Sequence, residues 1–132
     1  MSRTSASISD FIPAAPLEIW DAWLDGASHA DMTGASATGK AEVGAAFTAW
    51  DGYISGTNVE LVPPGLIVQK WRTSQFNADQ PDSRVEVQIV AEGTGSRVTV
   101  VHSELPDEEQ VAQYEQGWVD HYFIPMKDHF GD

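Results

Sequence analysis

His102 and His121 are the side chains of this sequence best suited by type to move a proton. Imidazole changes charge near neutral pH, so two of them converging on one point orient a carboxylate or act as acid and base. His102 is in phase with Val98 and Val100 in an alternating run, and therefore faces whatever covers that strand. His121 stands one turn beyond Gly117 and on the side of Tyr114, which would complete an acid–base set. The plain alternative is structural: a hydrogen-bonded core histidine at 102 and a half-exposed one at 121. Glu115 borders the same stripe, where its carboxylate is expected to reach solvent.

Other chemistries lack their residues. The absence of cysteine excludes disulfides, thiolate zinc sites and a cysteine nucleophile. His29-Ala30-Asp31 and Asp120-His121 offer metal ligands, but not at the i, i+4 spacing of a helical zinc motif, so no metal is expected. No Gly-x-Ser-x-Gly elbow occurs, and the side chains of His102 and Ser103 point to opposite faces of a strand. Gly93-x-Gly95 precedes a strand and lacks the lysine of a phosphate loop, so it reads as a hairpin turn. Nothing here calls for a cofactor.

The elements that must position these residues follow from periodicity. Residues 4–12 alternate weakly and read as a strand. Pro16 and Glu18 open a short helix whose Leu17, Trp20, Trp23 and Leu24 share a face, ending near Gly26. A second short helix is expected around 27–31, then a small-residue loop through 34–39 that is open to motion. Strands follow at 42–50, 53–62, 66–76, 84–92 and 97–104. Trp50-Asp51-Gly52, Pro63-Pro64-Gly65, the polar run 77–82 and 92–96 separate them. Val85, Val87 and Ile89 share one face while Glu86 and Gln88 share the other, as in an antiparallel sheet covered on one side.

The cover is C-terminal. Asp107, with Gln110 three residues later, resembles a capping box, and Val111, Tyr114, Trp118, Tyr122 and Pro125 fall on one helical stripe. Pro125 has no amide hydrogen to donate, so it kinks the helix or ends its regular part. Gly117 interrupts the helix at about 1 kcal/mol, which suggests close approach of a neighbouring element. A Gly117→Leu change should then fold poorly. The order is βααβββββα, an α+β domain spanning 1–132.

Composition sets the setting. The 132 residues carry seven basic and twenty acidic side chains, a formal charge of −13. Nucleic acid and anionic membrane surfaces are disfavoured as partners, whereas a protein with a basic patch is attracted. The N-terminus lacks the apolar core of a signal peptide, and no apolar run approaches the roughly 20 residues of a membrane helix. A cysteine-free chain fits a reducing, cytoplasmic location.

Two runs carry a family resemblance: Trp50-Asp51-Gly52-Tyr53-Ile54-Ser55-Gly56, and Val68-Gln69-Lys70-Trp71-Arg72. With Gly117-Trp118, they resemble the activator of 90-kDa heat-shock protein ATPase family, of the START-like (SRPBCC) helix-grip superfamily. The likeness runs from Phe11 to Phe130. It implies a curved antiparallel sheet wrapped around the long C-terminal helix, with an apolar cavity where the two separate. Candidates for that lining are Phe47, Trp50, Trp71, Val87, Ile89, Val100, Tyr114, Trp118 and Tyr122, joined by His102 and His121. The expected function is binding of a small hydrophobic ligand without catalysis. Two alternatives stand beside it. One is a co-chaperone-like module acting through its acidic surface, although eukaryotic activators also carry an N-terminal domain not found here. The other is a cyclase- or hydrolase-like enzyme using His102 and His121.

Overall fold

Strict alternation through Val85, Val87 and Ile89, and again through Val98, Val100 and His102, puts every one of these side chains on a single buried face. The computed structural model describes residues 5–105 and 107–131. In chain order the elements are β1 (Ala6–Ile12), α1 (Pro16–Leu24), α2 (Gly26–Thr33), β2 (Ala46–Ala49), β3 (Ile54–Val62), β4 (Leu66–Thr73), β5 (Ser83–Glu92) and β6 (Gly95–Ser103). The C-terminal helix follows as α3 (Glu108–Trp118), a π-helical turn (Val119–Phe123) and α4 (Ile124–Phe130). The six strands form one antiparallel sheet, ordered β1-β6-β5-β4-β3-β2. The architecture is the α+β helix-grip arrangement.

The sheet's buried face meets the C-terminal helix through aromatic rings. Tyr114, Trp118 and Tyr122 are all buried, as is Trp71 across from them on β4. The ring of Trp71 lies 5.4 Å from that of Tyr114 and 5.6 Å from that of Trp118. Each such ring removes about 150–250 Å² from water, so this seam anchors the helix to the sheet. Trp23 of α1 extends it, 5.9 Å from Trp118 and 5.1 Å from Tyr122.

Pro125 acts as its chemistry requires. Its ring cannot donate to the carbonyl four residues back, and just before it the helix widens: the Ile124 amide bonds to the Val119 carbonyl, five residues back. A regular helix was expected as far as the proline; the π turn is how the backbone stays hydrogen-bonded around it.

Several boundaries differ from the sequence reading. β2 begins at Ala46, not at 42, because Gly44 adopts φ +85° and the Ala45 amide turns back to the Glu42 carbonyl. The small-residue stretch before it is tied down at separate points. Thr38 bridges to Thr48, the Ser36 amide donates to the Asp51 carboxylate (2.9 Å), and the Asn58 amide donates to the carbonyls of Lys40 and Glu42 (3.0 and 3.1 Å). β4 ends at Thr73, where the Phe76 amide closes a turn onto the Thr73 carbonyl. Asp107 caps α3 by accepting from the Gln110 amide at 2.9 Å, but the Gln110 side-chain oxygen is buried without a partner among the described residues, so the reciprocal half of the box is not made.

Candidate functional site

The hairpin turn from β2 to β3 carries Trp50, and its geometry is costly. Trp50 and Asp51 both sit in the left-handed region, at φ 53° and 58°, with Gly52 at φ 90°. A bulky side chain seldom adopts that conformation. The turn therefore asks more than a glycine at 52, which was as far as the sequence signal reached. Its result is that the Trp50 indole stands edge-on to the His121 ring, with centroids 5.2 Å apart.

Between this turn, the start of β3, Trp71 and the C-terminal helix lies a cavity of about 390 Å³. Its walls are Trp50, Tyr53, Ile54, Trp71, Gln113, Tyr114, Gly117, Trp118, His121 and Tyr122. Trp71, Trp118 and Tyr122 form the buried part, and Tyr53, Gln113 and His121 are exposed at the mouth. No Lys, Arg, Asp or Glu is among the lining residues.

The helix contributes two neighbouring stripes at four-residue spacing. Tyr114, Trp118 and Tyr122 supply aromatic rings; Gln113, Gly117 and His121 run alongside them at the rim. Gly117 corrects an expectation. A Cβ built on it would meet nothing within 4 Å, so no neighbouring element approaches there. The missing side chain leaves cavity space instead, because this face of the helix looks onto the opening and not onto the sheet.

Other candidates lie elsewhere. Val87, Ile89 and Val100 are buried on the sheet's inner face and are not among the residues that line this cavity. Phe47 is paired with Gly56 across β2 and β3, and its ring covers that glycine, with Cζ 2.6 Å from where a Cβ would sit.

His102 is fully buried and outside the cavity lining. Trp118 Nε1 donates to its Nδ1 at 3.1 Å, and its Nε2 lies 2.7 Å from Ser83 Oγ, which itself donates to the Trp71 carbonyl at 2.7 Å. One chain of donors thus runs Trp118, His102, Ser83, Trp71, with the imidazole proton on Nε2. Burial pushes the His102 pKa down to about 3, which keeps the ring neutral. The serine–histidine pair comes from two strands and was invisible to a search of sequence neighbours. His102 and His121 do not converge: one is sealed beneath the aromatic seam, the other is exposed at the rim.

A second buried histidine was not foreseen. His29 of α2 donates from Nδ1 to the Trp23 carbonyl (2.8 Å), which leaves Nε2 to accept from the Tyr122 hydroxyl (2.9 Å). Desolvation lowers the His29 pKa, with the Trp23 contact offsetting part of that. Burial likewise raises the Tyr122 hydroxyl above its ordinary range, the nearby Trp50 indole pulling the other way. That indole N–H stops short of hydrogen-bonding geometry. Among the described residues, no three of His, Asp or Glu come together in a group able to hold a metal, and no helix is long and apolar enough to cross a membrane.

Comparison with known proteins bears on the family. Residues 13–131 match the family described as Activator of Hsp90 ATPase homolog 1-like protein. The chain belongs to this family. No curated protein matches it. Among solved structures, an HSP90 activator from Plasmodium falciparum superposes with a TM-score of 0.85 at 20% identity, covering 97% of this chain and 96% of that one. The solution structure of the Aha1 dimer from Colwellia psychrerythraea gives 0.81 at 15% identity, over 96% and 95% of the chains. CalU16 from Micromonospora echinospora gives 0.79 at 22% identity, covering 96% of this chain and 76% of that one. At these identities the likeness is one of fold.

Proposed function

We propose that this family member is a non-catalytic binding domain that takes a small, predominantly apolar molecule into the cavity at the mouth of its grip. The observation that carries the reading is an aromatic-lined space of about 390 Å³ between the β2–β3 turn, the sheet and the C-terminal helix. Cavities of about 300–1,000 Å³ with few polar groups are the ordinary size and character of small-ligand sites. Trp50, Trp71, Tyr114, Trp118 and Tyr122 supply the apolar surface, and His121 stands at the rim. His102 supports them from behind by fixing the Trp118 indole. A neutral, sequestered imidazole of this kind has no route to a substrate, which favours binding over acid–base catalysis. Native mass spectrometry of freshly purified protein, with thermal shifts against a panel of apolar compounds, tests the reading. Co-purified mass or a rise in melting temperature is expected. No adduct and no shift with any compound would overturn it.

A second reading rests on the formal charge of −13 and on family membership: docking of the acidic surface on a chaperone or another protein with a basic patch. Its measurement is the ATPase rate of a 90-kDa heat-shock protein with and without this chain, at low and high salt. A salt-sensitive change supports docking, and an unchanged rate at both salts counts against it.

A further inference from the structure

Resting on the binding reading above, we infer that the cavity selects a flat, uncharged aromatic molecule with one polar edge, and that Gly117 is the residue that sets its size. Three features of the lining carry this. Apart from Ile54, the buried walls are aromatic rings, and ring–ring contacts add attraction beyond what burial of area alone provides. An aromatic guest gains that increment; a saturated chain does not. No Lys, Arg, Asp or Glu lines the space, so a charged guest would lose its hydration without a carboxylate, ammonium or guanidinium to pair with.

The third feature is the rim stripe. Gln113 and His121 flank Gly117 one turn to either side, and neither side chain has a hydrogen-bond partner within the protein among the described residues. They are free to hold a hydroxyl or carbonyl at the mouth. Between them the helix presents bare backbone, with nothing within 4 Å of where a Cβ would project. Glycine is among the poorest residues for a helix interior, and one that no neighbour crowds is explained by close approach of a ligand to the backbone. The guest lies over Gly117, its rings inward against Trp71 and Trp118 and its polar edge between Gln113 and His121.

The test is calorimetric titration of the wild-type chain with 2-naphthol, naphthalene and 1-octanol, repeated with Gly117→Leu, Gly117→Ala and the double variant Gln113→Ala/His121→Ala. Melting temperatures are recorded for each protein. The wild type should bind 2-naphthol about tenfold or more tightly than either other probe. Gly117→Leu should weaken 2-naphthol by at least about tenfold with no fall in melting temperature, and Gly117→Ala by less. The double variant should bring 2-naphthol down to the affinity of naphthalene. Equal binding of the three probes, or 2-naphthol binding unchanged in Gly117→Leu, overturns this inference and leaves the binding reading standing. Absence of binding by all three probes to the wild type also overturns this inference; the binding reading falls with it only if the wider panel of apolar compounds gives no adduct and no thermal shift.

Discussion

Trp118 and His102 are joined by a buried hydrogen bond, indole Nε1 to imidazole Nδ1 at 3.1 Å, and this bond links the C-terminal helix to the inner face of the sheet. It fixes the histidine tautomer, which in turn directs Nε2 at Ser83. The same indole forms a wall of the cavity. Core and candidate site therefore share one side chain.

Replacing His102 by alanine would remove partners from Trp118 and Ser83 and open space beside Trp71. Unsatisfied buried groups cost about 1–3 kcal/mol each, and cavity formation adds to that. His102→Ala should lose about 3 kcal/mol or more in urea denaturation. A loss below about 1 kcal/mol would mean that the bond is not made in solution.

Acid should weaken the fold before the carboxylates titrate. His102 and His29 have folded pKa values below the ordinary 6.5, so below that pH the unfolded chain binds protons that the folded one refuses. Their contribution is complete above 6.5 and is lost as pH falls towards the folded values, by up to about 1.4 kcal/mol per pH unit for each ring. The relief of repulsion in a chain of charge −13 acts in the opposite direction. The comparison is therefore with His29→Gln, whose stability should fall less steeply between pH 6.5 and 5. Parallel curves for the two proteins would contradict the assignment.

Gly117→Ala should raise stability by about 0.5–1 kcal/mol, because the helix gains propensity and the new methyl meets nothing. Thermal denaturation reads this directly. A fall in melting temperature would restore the packing role that the sequence suggested.

Asn58 holds the loop before β2 and also accepts from the Gln69 amide at 2.9 Å. Gln69 in turn lies 3.4 Å from Trp23 Nε1. Asn58→Ala should cost about 2 kcal/mol and speed amide exchange in Glu42–Ala45. Unchanged exchange there would show that the loop is held by its other ties.

How much of this was legible in the sequence depends on the kind of information involved. Tyr114, Trp118 and Tyr122 could be placed on one face because their spacing is that of a helix, and Val85 through Ile89 because theirs is that of a strand. Where the helix parts from the sheet is a property of packing, so Val87, Ile89 and Val100 shared the right face with Trp71 without lining the cavity. Gln113 carried a usable signal, four residues from Gly117 and eight from His121. Asp51-Gly52 marks the turn before Tyr53 and Ile54, but a left-handed Trp50 has no signature in that residue type, so which side chains the turn brings to the cavity is not legible. His29 sits in a helix too short for periodicity, and its burial comes from Tyr122, far along the chain.

The central claim is that the space between Trp50, Trp71 and Trp118 admits a small neutral molecule. Its most direct test follows the indole N–H resonances of the uniformly 15N-labelled protein during addition of 2-naphthol. The account predicts saturable shifts at Trp50, Trp71 and Trp118, with Trp20, buried on α1 away from the cavity, unmoved. Shifts confined to Trp20 or to surface amides, or no saturable change in the three, would contradict it.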